Sequence, residues 1–143
     1  MPWKSSVSIS VAVAVIIDEQ QRILITQRPL HVPHGGCWEF PGGKLEADES
    51  SSSALIREVK EELGLEVLRY QLLGEVNHQY SDRVVKLIIF LVDQFSGVPF
   101  CLEGQLAMKW VDHQELNTEY FPEANHEIIA MLKSYLIGSL GAA

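Results

Sequence analysis

Basic charge is scarce in this chain: 11 Lys and Arg stand against 19 Asp and Glu, for a formal net charge of −8. That balance argues against a nonspecific DNA or RNA binder, which needs a basic face, so no nucleic-acid polymer is expected as partner. A nucleotide substrate stays open, provided metal ions neutralise its phosphates. Cysteine is nearly absent. Cys37 and Cys101 are too few for a disulfide framework, and no neighbouring Cys/His spacing suits zinc. No apolar run is long enough to span a bilayer and no secretory signal is read, so the cytosol is the expected compartment and no membrane partner is expected. Internal repeats, low-complexity tracts and linkers are missing too. With 143 residues and 47% apolar content, the chain is expected to form one globular domain, 1–143, and to act as a monomer.

What is there centres on Trp38 to Leu65. Trp38-Glu39-Phe40-Pro41-Gly42-Gly43-Lys44 reads as a strand end and a glycine turn, and a polar connector leads into an amphipathic helix. Ser50 is the expected N-cap, because its hydroxyl can accept an N–H from the open first turn. Gly64 is the expected C′ residue, since glycine enters the left-handed region without a Cβ penalty. At about 100° per residue, Leu55, Ile56, Val59 and Leu63 share an arc that can face a core. Glu58, Glu61 and Glu62 fall on a neighbouring arc.

That acidic arc needs a cause. Like charges at i and i+4 cost a few tenths of a kcal/mol, and the helix C-terminal end disfavours anions further. A solvated acidic face is the plain reading of any Glu-rich helix. The glycine turn upstream favours another, in which a cation resolves the repulsion, and clustered carboxylate oxygens suit Mg²⁺ or Mn²⁺.

Around this centre, Ser8 to Ile17 alternates and then becomes apolar, as a central strand does. Asp18 to Gln21 is a turn, and Arg22 to Arg28 is a second strand, expected to complete a hairpin before Pro29 breaks it. Leu30 to Cys37 is a loop whose His31 and His34 are read as exposed. Glu66 to Val76 and Arg83 to Val92 are strands joined by a turn at Ser81-Asp82. The unbroken apolar run of Leu87 to Val92 marks a strand covered on both faces. Gln94 to Gln105 is loop, Leu106 to Val111 is a short strand, and Asn125 to Ile137 has helical spacing. Trp3, Trp38 and Trp110 are read as core or rim residues.

Gly43, Glu49, Arg57-Glu58-Val59, Glu61-Glu62 and Gly64-Leu65 stand at a spacing that resembles the Nudix box without gap or mismatch. The resemblance implies an α/β/α sandwich with a mixed sheet and metal-dependent hydrolysis of a nucleoside diphosphate linked to another moiety. It implies that the Gly43 carbonyl with Glu58, Glu61, Glu62 and Glu103 holds Mg²⁺, with Mn²⁺ as substitute. Glu58 is the first choice of general base and Glu103 the second. Arg57 is read as an orienting partner for Glu58 or Glu49.

Shorter matches extend along the chain: Ile25-Thr26-x-Arg28, Glu39 to Lys44, Asp82-Arg83, Glu103-Gly104-Gln105 with Trp110, and Phe121-Pro122-x-Ala124-Asn125. Together they are similar to the branch of the family that hydrolyses 8-oxo-dGTP to 8-oxo-dGMP and pyrophosphate, a nucleotide-pool sanitation that spares DNA replication and repair. That similarity implies a substrate site of Arg28, Glu39, Phe40, Lys44, Asp82, Arg83 and Asn125. Arg28 is expected to meet phosphate, and the Asn125 amide to read the O6 and N7 edge of the base, with an ordinary helix N-cap as its alternative role. Departures fall in the loop Leu30 to Cys37 and at Glu123. The alternatives are CTP, a dinucleoside polyphosphate or ADP-ribose as substrate, a nucleotide sensor without catalysis, or an interaction protein with an incidental acidic helix.

Overall fold

The computed structural model describes residues 7–141; Trp3 lies outside them. Seven strands and two helices follow in the order β1 (Val7–Ile16), β2 (Arg22–Gln27), β3 (Trp38–Glu39), β4 (Gly42–Lys44), α1 (Ser51–Leu63), β5 (Glu66–Gln79), β6 (Arg83–Ser96), β7 (Ala107–Asp112) and α2 (His126–Gly141). Three 3₁₀ turns, His113–Glu115, Thr118–Tyr120 and Glu123–Asn125, connect β7 to α2.

A mixed sheet in the order β4-β1-β6-β5 is the frame. β1 runs parallel to β6 over its whole length, from Val7 beside Arg83 to Ile16 beside Val92. The strands β4 and β5 are antiparallel to their neighbours. Alternation along β1 and β6 sends side chains to two cores. Ala12, Ala14, Ile16, Ile88, Phe90 and Val92 join Leu55, Val59 and Leu63 of α1 on one face. Val13, Val15, Leu87, Ile89 and Leu91 join Ile128, Ile129 and Leu132 of α2 on the other. The Leu87–Val92 run is therefore buried on both sides, as its composition predicts.

Two expectations are corrected. β1 and β2 do not form a hairpin ladder: the backbone pairing between these segments is confined to the isolated bridge Ile17–Ile23 just past β1 and the turn bond from the Asp18 N–H to the Arg22 carbonyl at 2.9 Å. The edge of β1 that β2 would need is already taken, by β4 at Val11 to Val13 and by the Ala14 N–H donating to the Pro41 carbonyl at 2.8 Å. β2 instead pairs with β3 and β7 in a second, antiparallel sheet. Ile56 does not join the core. It is 39% exposed, because Ala54 rather than Ile56 completes the buried stripe with Leu55, Val59 and Leu63. Full burial of each of those larger side chains contributes about 1.5–3 kcal/mol.

Candidate active site

The glycine turn is held by close packing. An ideal Cβ on Gly42 would lie 2.1 Å from the Ala12 carbonyl oxygen, and Gly42 itself sits at φ +154. On Gly43 it would lie 2.3 Å from the Glu58 carboxyl carbon. Only residues without a side chain let the Glu58 carboxylate approach this backbone so closely. The helix that carries the carboxylate is fixed at both ends: Ser50 Oγ accepts from the Ser53 N–H at 3.1 Å, and Gly64 closes the last turn in the left-handed region.

Arg57 organises the acidic face. Its guanidinium grips Glu49 with two bonds, from Nε at 2.8 Å and Nη2 at 2.9 Å, and donates from Nη1 to Glu58 at 2.8 Å and to Glu61 at 3.2 Å. A fifth bond runs from Nη2 to the Lys44 carbonyl at 3.1 Å, tying α1 to the glycine turn. The guanidinium holds the Glu49 carboxyl down at about 2, with the Glu46 amide assisting. The repulsion along the acidic arc is thus relieved in part by a cation of the chain itself.

Glu62 is placed differently. Its carboxylate accepts from the Gly42 N–H at 3.1 Å. Burial first, then the negative charges of Glu58, Glu39 and Glu103, push its carboxyl up to about 8 against that hydrogen bond. Among the described residues no three His, Cys, Asp or Glu side chains close on one point as an ion cage. Arg57 engages Glu58 and Glu61, while Glu62 turns to Gly42. The donor chemistry nevertheless fits a hard divalent cation: the side chains offered are all carboxylates, one pressed onto the Gly43 backbone and another raised by burial and, after it, by neighbouring negative charge.

The same turn forms one wall of a cavity of about 230 Å³. Arg28, Glu39, Phe40, Lys44 and Asn125 line it with Gly42 and Gly43, over a floor that includes Val13, Leu87 and Ile128. Arg28 donates to Glu39 at 2.8 Å and to the Pro33 carbonyl at 2.8 Å. Burial raises the Glu39 carboxyl, and Arg28 opposes the shift. Phe40 is buried and stacks on Phe121 at 5.5 Å, so the chain segment that carries Asn125 packs directly on the strand that carries Glu39. Asn125 does not start α2, which begins at His126; it ends the preceding 3₁₀ turn, where its backbone N–H donates to the Pro122 carbonyl at 2.9 Å, while no hydrogen bond ties its side-chain amide to another described residue.

Not every residue named from sequence gathers here. Asp82 and Arg83 stand at the exposed turn into β6, outside the cavity lining, and the Arg83 guanidinium lies 5.1 Å from the Tyr80 ring. Glu103 is exposed on the β6–β7 loop, close enough to act on Glu62 through its charge. Gln105, in the run Glu103-Gly104-Gln105, is a residue of this region that sequence alone does not assign to the site. It donates to the Glu62 carbonyl at 3.0 Å and accepts from the Glu103 N–H at 2.8 Å. A larger cleft of about 540 Å³, between Asp18–Arg22 and Asp93–Phe95, shares none of these residues, and its Asp18 is occupied by the Gln20 and Arg22 amides and the Arg22 guanidinium. No helix among the described residues is long and apolar enough to cross a membrane.

Comparison with known proteins bears on the family. Residues 12–131 match the model of the NUDIX domain. The 8-oxo-dGTP diphosphatase of Escherichia coli (strain K12) is 35% identical over 125 residues, covering 87% of this chain and 96% of that protein. The CTP pyrophosphohydrolase of the same organism is 39% identical over 103 residues, covering 72% and 76%. A solved structure from a study of MutT of Aliivibrio salmonicida and Vibrio cholerae superposes with a TM-score of 0.76 at 36% identity, covering 90% of this chain and 98% of that one.

Proposed function

The chain belongs to the Nudix family, and from that premise we propose that it is a MutT-type enzyme hydrolysing 8-oxo-dGTP to 8-oxo-dGMP and pyrophosphate, acting in the cytoplasm as a monomer built of a single Nudix domain. One observation carries the reading: the turn that brings the Glu58 carboxylate against Gly43 also walls the cavity into which Asn125 faces. Phosphate chemistry and base recognition thereby share one boundary.

Divalent metal, Mg²⁺ in this proposal with Mn²⁺ as substitute, supplies charge neutralisation of the polyphosphate and acidification of water when bound. Glu58, Glu61 and Glu62, with the Gly43 backbone and Glu103, are the groups that would hold it. Glu58 takes the proton of the attacking water, and Arg57 keeps that carboxylate aimed by gripping Glu49 at the same time. Glu62, anchored on the Gly42 amide, fixes the helix against the turn. Water attacks the β-phosphorus, and the bond to the oxygen bridging the α- and β-phosphates breaks.

At the other end Asn125 reads the base. Oxidation turns N7 of guanine from acceptor into N–H donor, and an amide presents both a donor and an acceptor to the O6 and N7 edge. A mispaired buried polar group costs about 1–3 kcal/mol, which sets the scale of discrimination per contact. Arg28, Glu39 and Lys44 add charge to the wall.

The test is a kcat/KM panel of 8-oxo-dGTP, dGTP, CTP and ADP-ribose, with Mg²⁺ and with chelator, read as pyrophosphate release from the triphosphates and as AMP formed from ADP-ribose. Preference for 8-oxo-dGTP that vanishes with chelator is expected. Equal turnover of 8-oxo-dGTP and dGTP would sink the base reading, and a preference for CTP would reassign the substrate within the family.

A further inference from the structure

The β6–β7 loop has little packing to hold it in place. Val98, Phe100, Leu102 and Leu106 are 68%, 60%, 55% and 51% exposed, so their burial does not position the segment. Its placement rests on hydrogen bonds to the end of α1. The Phe100 N–H donates to the Leu63 carbonyl and the Leu102 N–H to the Glu62 carbonyl, each at 3.0 Å. These are open carbonyls of the last helical turn. Beyond Leu102 the chain has two more residues before Gln105, and the first of them is Glu103.

We propose that Gln105 is a positioning residue for Glu103, its side-chain amide setting where that carboxylate stands relative to Glu62. Gln105 Oε1 accepts from the Glu103 N–H at 2.8 Å, while Gln105 Nε2 donates to the Glu62 carbonyl at 3.0 Å. One planar group therefore joins the backbones of two acidic residues that belong to distant parts of the chain. The task demands an amide. A carboxylate would face the Glu62 carbonyl with a second acceptor, and an apolar side chain of the same length would make neither bond. Leu106 N–H, bonded to the Gln27 carbonyl at 3.0 Å, anchors the chain just after Gln105, so the clip works from a fixed base on β2.

This inference rests on the proposed hydrolysis, in which Glu103 takes part. Gln105→Met keeps side-chain length and volume while removing both bonds. Its kcat is expected to fall roughly 10-fold or more, as for catalytic groups displaced by a fraction of an ångström to 1 Å, with KM within about 2-fold and the melting temperature nearly unchanged. Combined with Glu103→Gln, the Gln105→Met change should add less than about 2-fold, since the two act through one group. Amide hydrogen exchange supplies a readout without turnover: the Glu103 N–H should exchange faster in Gln105→Met, while the Leu102 and Phe100 amides stay protected. Wild-type kcat in Gln105→Met, losses that multiply with those of Glu103→Gln, or unchanged exchange at Glu103 would each overturn the proposal. Absence of turnover in the wild type on every triphosphate would instead remove the proposed function, leaving the exchange result to judge the clip alone.

Discussion

The Arg57 side of the site and the Asn125 side hold their polar groups in opposite ways. Between Gly42 and Glu62 the carboxylates of Glu49, Glu58, Glu61 and Glu62 are each bonded, to one guanidinium or to a backbone amide. Across the cavity, the Asn125 side-chain amide has no hydrogen-bond partner among the described residues. Geometry needed for bond breaking is set in advance on a rigid helix and turn. The group proposed to read the base is left open for a ligand to satisfy, so its contribution appears only when the right edge arrives.

The strongest way to break this contrast is Gly43→Ala. The new methyl would meet the Glu58 carboxyl carbon at 2.3 Å, so the carboxylate must move. A displacement on the order of 1 Å costs about 100-fold, and kcat should fall by that order with the circular dichroism spectrum preserved. Wild-type kcat would show that Glu58 need not sit against the turn. On the other side, Asn125→Ala should lower the ratio of kcat/KM for 8-oxo-dGTP over dGTP by about 5–10-fold, the scale of one lost polar contact. An unchanged ratio would move base reading elsewhere in the cavity.

The smallest effect separates structure from chemistry on the Arg57 side. Arg57 holds the Glu49 carboxyl at about 2, below its ordinary 4.5. A depressed carboxyl contributes stability that is fully present above the ordinary value and is lost as pH falls through the lower one. Glu49→Gln should therefore melt below the wild type near neutral pH, and the gap should close between pH 4.5 and pH 2. A gap constant with pH would mean that packing, not the ion pair, is what the substitution removes.

How legible each side was in the sequence follows from the distance over which it is built. Ser50, Gly64 and the Glu58–Glu62 arc depend on contacts within one helix, and caps and period report them directly. The partnership of Arg57 with Glu58 and Glu49 is legible as well, whereas its relief of the arc, which the sequence assigns to a metal ion, is not. What periodicity could not give was Ile56, because an arc of apolar residues does not say which of its two borders the sheet covers, and Ala54 is buried in its place. Nor could it give the partner of β2, since competition from β4 for the edge of β1 is a tertiary fact. Asn125 was placed at the right boundary but not in the right turn, because a 3₁₀ segment and an α-helix share the same start signals. Gln105 stands out in the sequence only as part of the run Glu103-Gly104-Gln105; its role is not legible there, because that role lies in a carbonyl on another element.

The flush pairing of Val7–Ile16 with Arg83–Val92 has a consequence for synthesis. The first of these segments leaves the ribosome long before the second exists, and parallel partners this far apart must wait for chain closure. Until then the apolar edge beside Ala12 lacks its lateral neighbour, and the glycines that abut Ala12 lack a finished platform. Hydrolytic competence is thus a late acquisition of the nascent polypeptide, since the partner of β1 and, further on, Glu103 and Asn125 must first emerge.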